Sequence, residues 1–165
     1  MRAAILTIST SVAAGRSKDL SGRALAEQAT KAGADVVATE VVSDDRDAIE
    51  AALRRYSAPD AGIALILTTG GTGLTHDDVT PEATKAVIER DAPGFAEAIR
   101  AESLKHTPMG ILTRGVSGIA GRTLIINFPG SPKAIGELFA VIAPTLEHVT
   151  AMLGREGGRR HAPGD

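Results

Sequence analysis

Short aliphatic runs alternate along the chain with stretches whose apolar residues recur at helical spacing. Ala3–Ser9 is an aliphatic run that ends in hydroxyls and reads as a buried strand. A polar loop over Thr10–Lys18 follows. Asp19-Leu-Ser-Gly22 then opens a helix to about Ala32, with Gly33 where a helix C-cap belongs. Asp35–Val42 is rich in β-branched residues and reads as a second strand. Asp44 or Asp45 caps the next helix, which runs to about Tyr56 with Ile49, Ala52 and Leu53 on one face. Ile63–Leu67 is the most apolar strand. Beyond a glycine-rich turn, Thr80-Pro81-Glu82 reads as a hydroxyl cap, a proline in the first helical turn and an acid near the positive end of the helix dipole. Another helix follows Ala92-Pro93-Gly94, and Thr123–Asn127 is a further strand. Ser131-Pro132 starts a last helix that is expected to break or kink at Pro144, which has no amide proton to donate.

Strands alternating with helices imply right-handed crossovers. The expected fold is therefore α/β, with a mostly parallel central sheet. The expected organisation is one domain over residues 1–153, with a Gly/Arg-rich flexible tail over 154–165. At 165 residues such a domain buries roughly 70% of its unfolded surface.

Composition narrows the chemistry. The apolar residues are nearly all aliphatic, with one Tyr, three Phe and no Trp, which suits strands covered by helices. A net charge of −2 without a basic stripe or aromatic platforms argues against a nucleic-acid partner. The absence of cysteine removes disulfides, thiolate catalysis and zinc–sulfur sites. The first residues read straight into a strand without a signal-peptide pattern, and no run approaches the ~20 apolar residues of a membrane span. A cytoplasmic protein with no membrane partner is the expectation.

In parallel α/β sheets ligands gather at the carboxyl ends of the strands, so the loops after Ser9, Val42, Leu67 and Asn127 carry the candidate chemistry. Thr68-Thr69-Gly70-Gly71-Thr72-Gly73 has glycines that admit positive φ and bring amides close to an anion, with hydroxyls as further donors. It lacks the Gly-Lys-Ser/Thr of a P-loop, and a plain tight turn accounts for it as well. Asp44, Asp45, Asp77 and Asp78 lie at the same strand ends. Carboxylates gathered there suit Mg²⁺ bridged to phosphate, or else are a cap and solvated turn residues. Asn127-Phe-Pro129-Gly130-Ser131 sets a strand-end amide beside a helix N-terminus, a place for an anion or for ordinary capping. Ser9 and Ser11 offer hydroxyls from the neighbouring strand.

Thr68-Thr-Gly-Gly-Thr-Gly73, Asp78-Val-Thr-Pro-Glu-Ala-Thr84 and Asn127-Phe-Pro-Gly-Ser-Pro-Lys-Ala134 together resemble the signatures of the MogA/MoaB family of molybdenum-cofactor biosynthesis proteins. Asp19-x-Ser-Gly22, Ser43-Asp-Asp45, Thr107-Pro-Met109 and Arg114-Gly-Val-Ser-Gly118 extend the likeness from about Ile5 to Leu153. The resemblance implies a three-layer α/β/α sandwich, usually a homotrimer, that binds molybdopterin. It implies Mg²⁺-dependent adenylylation of molybdopterin by ATP, with product passed on for insertion of molybdenum by a downstream protein. Asp44 and Asp78 match the two acidic positions tied to catalysis and metal. Ser9, Ser11, Thr69, Gly70, Gly71, Thr72, Gly73, Asn127, Pro129, Gly130 and Ser131 match the substrate loops. The likeness departs at Asp77, where the family commonly has a basic residue. An acidic pair there is also similar to CinA-type domains, so a nucleotide pyrophosphate hydrolase and a non-catalytic molybdopterin-binding protein stand as the other readings.

Overall fold

A computed structural model describes residues 1–155 of the chain. Six strands form one sheet: β1 (Arg2–Ile8), β2 (Asp35–Val42), β3 (Leu65–Thr69), β4 (Arg90–Asp91), β5 (Ser117–Ala120) and β6 (Thr123–Phe128). Their order is β2-β1-β3-β6-β5-β4. The first four in that order are parallel, and β5 and β4 add an antiparallel edge.

Among the described residues there are six α-helices: α1 (Thr10–Ala13), α2 (Leu20–Lys31), α3 (Arg46–Ser57), α4 (Thr80–Val87), α5 (Pro93–His106) and α6 (Pro132–Gly154). Successive side chains of a strand point to opposite faces, so each central strand feeds two cores. Ile5, Leu65, Leu67, Leu124, Ile126 and Phe128 pack with residues of α2, α5 and α6. Leu6, Ile8, Ile66 and Ile125 pack on the other face with Ile49, Ala52 and Leu53 of α3 and Ala83 and Val87 of α4. The architecture is the three-layer α/β/α sandwich with a mostly parallel sheet. Phe128 and Phe139 stack with ring centroids 5.7 Å apart, filling the larger core where β6 meets α6.

Several expectations need correction. The polar stretch after Ser9 contains a one-turn helix, α1, because the Ser9 hydroxyl accepts from the amide of Val12. The third strand starts at Leu65 rather than Ile63. Thr80 is not a cap: Val79 holds that position without a side-chain bond, and the Thr80 hydroxyl turns elsewhere. The last helix continues without a break through Pro144 to Gly154. The carbonyl that Pro144 leaves without a donor belongs to Ala140. Both residues are exposed, so the carbonyl is open to solvent. The expected tail therefore starts inside the helix at Gly154, and its remainder from residue 156 lies outside the described residues.

Candidate functional site

Parallel pairing of β1, β2, β3 and β6 sends their carboxyl ends to one rim, with Ile8 opposite Val42 and Thr69 opposite Phe128. At that rim Thr10, the first residue of α1, reaches across to the end of β2. Its amide and its hydroxyl both donate to Oδ2 of Asp44, each at 2.8 Å, and its hydroxyl accepts from the Asp44 amide at 3.0 Å. Asp45, not Asp44, caps α3 by accepting from the amide of Ala48. Asp44 is thus released from helix duty and held as a positioned carboxylate. The Ser9 and Ser11 hydroxyls lie 3.2 Å apart beside it.

The glycine-rich loop follows β3. Gly70 and Gly71 have φ of +98° and +63°, the left-handed region that side-chain-bearing residues avoid. A Cβ on Gly70 would stand 2.2 Å from the carbonyl oxygen of Ile8, so the close approach of the loop to β1 also requires glycine. The carbonyl of Gly70 accepts from the Thr80 hydroxyl (2.9 Å), and that of Gly71 from the Thr80 amide (3.1 Å). The carbonyl of Thr72 accepts from the Arg114 amide (2.8 Å), and that of Gly73 from Arg114 Nε (2.7 Å). Among the described residues no protein acceptor meets the amides of Gly71 and Thr72. With these four carbonyls occupied and the amides of Gly71 and Thr72 left over, the loop presents donors suited to an anion.

The threonine hydroxyls differ from expectation. Thr69 donates to the Pro129 carbonyl at 2.8 Å, Thr68 accepts from Asn127, and Thr72 meets Thr113 at 3.3 Å. Thr69 is spent as a donor, and Thr68 and Thr72 serve as acceptors within the rim. Asn127 is likewise turned inward. Its amide group, 2% exposed, donates to Thr68 and Thr84, and its carbonyl accepts from Val116. A polar side chain so enclosed needs all its partners, and here it has them. Its expected contact with ligand gives way to a role in fixing β3, α4 and β5 around the rim.

Asp78 closes the loop segment. Its Oδ2 accepts from both the amide (2.9 Å) and the hydroxyl (2.7 Å) of Thr75. Burial pushes its carboxyl up. The Thr75 hydroxyl and amide, the Gly73 amide and the charge of Arg114 outweigh that and hold it below the ordinary aspartate range. Arg114, which the sequence reading gave no role, bonds Gly73 through Nε, the Asp78 carbonyl through Nη2 and the Glu82 carboxylate through Nη1. Its hydrogen bond is the main cause of the lowered Glu82 carboxyl, partly opposed by burial. An arginine ahead of a weak Gly/Ser strand gives little signal by itself; its partners Gly73, Asp78 and Glu82 lie more than thirty residues away. Asp77 and its neighbour His76 are 72% and 92% exposed and point away from this network, 3.2 Å from each other.

The second wall is the turn after β6. The Gly70 amide donates to the Phe128 carbonyl at 3.2 Å, and a Cβ on Gly130 would touch the Gly70 Cα at 3.4 Å. Ser131 caps α6 through the amide of Ala134. The four loops therefore meet at one rim. A cavity of about 460 Å³ lies at the opposite rim, by Pro59, Gly62 and Thr123, where Arg122 is the only ionisable lining residue among the described residues.

A family model described as "probable molybdopterin binding domain" matches residues 4–148, which contain every loop of this rim. The chain belongs to that family. Within the molybdopterin-binding family, it is 38% identical over 151 residues to a "Molybdopterin adenylyltransferase" of Helicobacter pylori, covering 90% of this chain and 85% of that protein. It is 40% identical over 151 residues to the "Molybdenum cofactor synthesis protein cinnamon" of Drosophila melanogaster; the match takes 91% of this chain but only 25% of that longer protein. The crystal structure of the molybdopterin biosynthesis enzyme MoaB from Thermus thermophilus superposes with a TM-score of 0.85 at 41% identity. It covers 92% of this chain and 95% of that one.

Proposed function

We propose that this protein acts in molybdenum cofactor biosynthesis as a nucleotidyltransferase that adenylylates molybdopterin. A terminal phosphate oxygen of molybdopterin forms a bond to the α-phosphorus of ATP. The bond from that phosphorus to the bridging oxygen breaks, and pyrophosphate leaves. The observation that carries the reading is the pairing of two unclaimed amides, Gly71 and Thr72, with two separately anchored carboxylates, Asp44 and Asp78, on the same rim. Phosphoryl-group transfer asks a protein chiefly for positioning and charge neutralisation, and this rim has groups for both.

Asp44 and Asp78 fit Mg²⁺. Oxygen donors suit this hard cation, which is held by one or two carboxylates plus substrate phosphate. No cluster of three or more metal-ligating side chains occurs among the described residues, so the remaining ligands would be water and phosphate. Bound there, Mg²⁺ supplies neutralisation of developing phosphate charge. The chain's own residues do the rest. Thr10 and Thr75 hold the two carboxylates, and the amides of Gly71 and Thr72 take phosphate oxygens. Pro129, Gly130 and Ser131 wall the other side beside the first turn of α6.

The same reading has the protein working in the cytoplasm as a homotrimer and handing its product to a molybdenum-insertion protein. No helix among the described residues is long and apolar enough to cross a membrane. Association has a surface to use: Ile111 and Met109 are 70% and 60% exposed, next to exposed Leu104 and Leu112. Incubation with molybdopterin, ATP and Mg²⁺ tests the activity. Adenylyl-molybdopterin and pyrophosphate should form together. Tight molybdopterin binding without either product would leave a binding protein in place of an enzyme. Release of a nucleoside monophosphate without molybdopterin would favour the hydrolase. Sedimentation showing a monomer at micromolar concentration would remove the trimer.

A further inference from the structure

Residues 74–77 are all exposed, so no apolar burial anchors the stretch that carries the chain from the glycine loop to Asp78. Thr75 does not anchor it either. Its amide and hydroxyl donate to the Asp78 carboxylate and its carbonyl accepts from the Asp78 amide, which closes the turn on itself. Among the described residues, one side chain ties this turn to its surroundings. Arg114 Nε holds the Gly73 carbonyl where the turn begins, and Nη2 holds the Asp78 carbonyl where it ends. Nη1 is braced against Glu82 in α4, and the Arg114 amide takes the Thr72 carbonyl. The backbone behind it is itself fixed. The Gly115 carbonyl accepts from Arg100 at 2.9 Å, and the Val116 amide donates to buried Asn127 at 3.1 Å.

We propose that Arg114 is a positioning residue that sets the separation between the anion-receiving amides of Gly71 and Thr72 and the carboxylate of Asp78. A guanidinium is a rigid planar fork, always charged, whose N–H groups leave at fixed angles. Three of them meet two carbonyls and one carboxylate, so the geometry of the fork becomes the geometry of the loop. A lysine ammonium keeps the charge but cannot span those partners at fixed angles. The proposal rests on the adenylylation reading for what the two groups hold: phosphate at the amides, and the nucleotide with its cation at Asp78. A group that fixes spacing governs the rate of reaction between two bound partners more than the affinity for either one.

The test compares R114K, R114Q and R114A with wild-type protein. R114K and R114Q should stay folded at the assay temperature, R114Q melting modestly lower for want of its pair with Glu82, and both should bind ATP and molybdopterin, each measured alone, nearly as wild type does. Their turnover should fall by about 100-fold, the scale of a misplacement near 1 Å. Amide exchange should quicken at residues 70–78 and nowhere else. Millimolar guanidinium should restore turnover to R114A and leave Asp78→Asn unimproved. Wild-type turnover in R114K, or losses in R114Q that track a lowered melting temperature with no rescue of R114A, would overturn the proposal. Failure of the adenylylation reading is separable from it. If wild-type protein forms no adenylyl-molybdopterin, amide exchange in R114Q still decides the tether, and protection of residues 70–78 equal to wild type overturns it.

Discussion

Thr10 gives both its amide and its hydroxyl to the same oxygen of Asp44, at 2.8 Å each. Thr75 does the same for Asp78, at 2.9 and 2.7 Å. Two aspartates on different loops are thus fixed by one device, in which a threonine uses up one carboxylate oxygen with two donors. Charge-assisted bonds of this kind are short and strong, and they hold a carboxylate in place without neutralising it. A solvated turn residue would not need such an anchor.

The anchors make asparagine an informative substitution. An Asn side-chain oxygen accepts both threonine donors, so Asp44→Asn and Asp78→Asn should fold normally and keep the loop. What each loses is the charge. Turnover in each should fall by roughly 10²–10³-fold, the scale for removing one preorganised electrostatic group. Molybdopterin binding at the glycine and Pro-Gly-Ser loops should persist. The double variant should lose far less than the product of the two, because groups acting on one assembly are not additive. Asp45→Asn and Asp77→Asn are the controls, since Asp45 is only a cap and Asp77 is solvated. Inactive controls beside active Asp44→Asn and Asp78→Asn would assign the site to the wrong pair.

Gly70 and Gly71 should not be equivalent. Both hold positive φ, which costs an alanine about 1–2 kcal/mol. At Gly70 the new methyl would also meet the Ile8 carbonyl, a backbone atom that cannot turn aside. At Gly71 it meets the Thr80 hydroxyl at 2.3 Å, a side chain that rotates away and gives up its bond to the Gly70 carbonyl. Overpacking adds ~1–3 kcal/mol, most fully at Gly70. Chemical denaturation should show Gly70→Ala clearly the less stable. Gly71→Ala should stay folded but lose ligand affinity as its loop relaxes. Equal stabilities would mean the β1 contact is not tight.

Much of this rim was legible because its residues repeat a physical rule. Gly70-Gly71 announced positive φ, Ser131-Pro132 announced a helix start, and parallel strands placed the loops together. What stayed hidden depended on partners far along the chain. Whether Asn127 faces a ligand or the core turns on Thr68, Thr84 and Val116, none of them its neighbour in sequence. β5, Ser-Gly-Ile-Ala, has little strand propensity of its own and exists because it pairs with β6 across the Gly121-Arg122 turn. Gly121 takes a positive φ of +56° at that turn. The hydroxyl of Thr80 looked like a cap because caps are local, whereas its true acceptor, the Gly70 carbonyl, is ten residues back.

Asn127 offers a stability test of that hidden network. Asn127→Ala removes two donors and one acceptor at a site 2% exposed, orphaning the Val116 amide and two threonine hydroxyls. A buried group left without its partner costs about 1–3 kcal/mol, and the hydroxyls can turn to one another. A net loss of about 2–4 kcal/mol is expected, read from the denaturation midpoint at unchanged slope. A ligand-contacting residue would instead lose affinity at little cost in stability. That second outcome would return Asn127 to the substrate wall.

Acid should weaken the fold in part through this loop, as through the lowered carboxyls of Glu40 and Glu102, and Glu82 supplies the means to see the loop's share. The hydrogen bond from Arg114 holds the Glu82 carboxyl below its ordinary range, and that of Asp78 is also lowered. A carboxyl whose folded-state value lies below its unfolded value binds fewer protons when folded. Its stabilisation is complete above the unfolded values, about 3.9 for Asp and 4.3 for Glu, and is lost as pH falls through the folded ones. Stability should therefore be flat on the neutral side of this window and decline below it. Glu82→Gln keeps an oxygen for Arg114 but cannot take up a proton, so its acid limb should be shallower than wild type while the Asp78 share persists. Removing Arg114 should flatten the limb further, because that guanidinium acts on both carboxyls. Denaturation midpoints measured from neutral pH downward decide the matter. Parallel wild-type and Glu82→Gln curves would mean the Arg114–Glu82 pair is exposed enough to contribute nothing to the folded state.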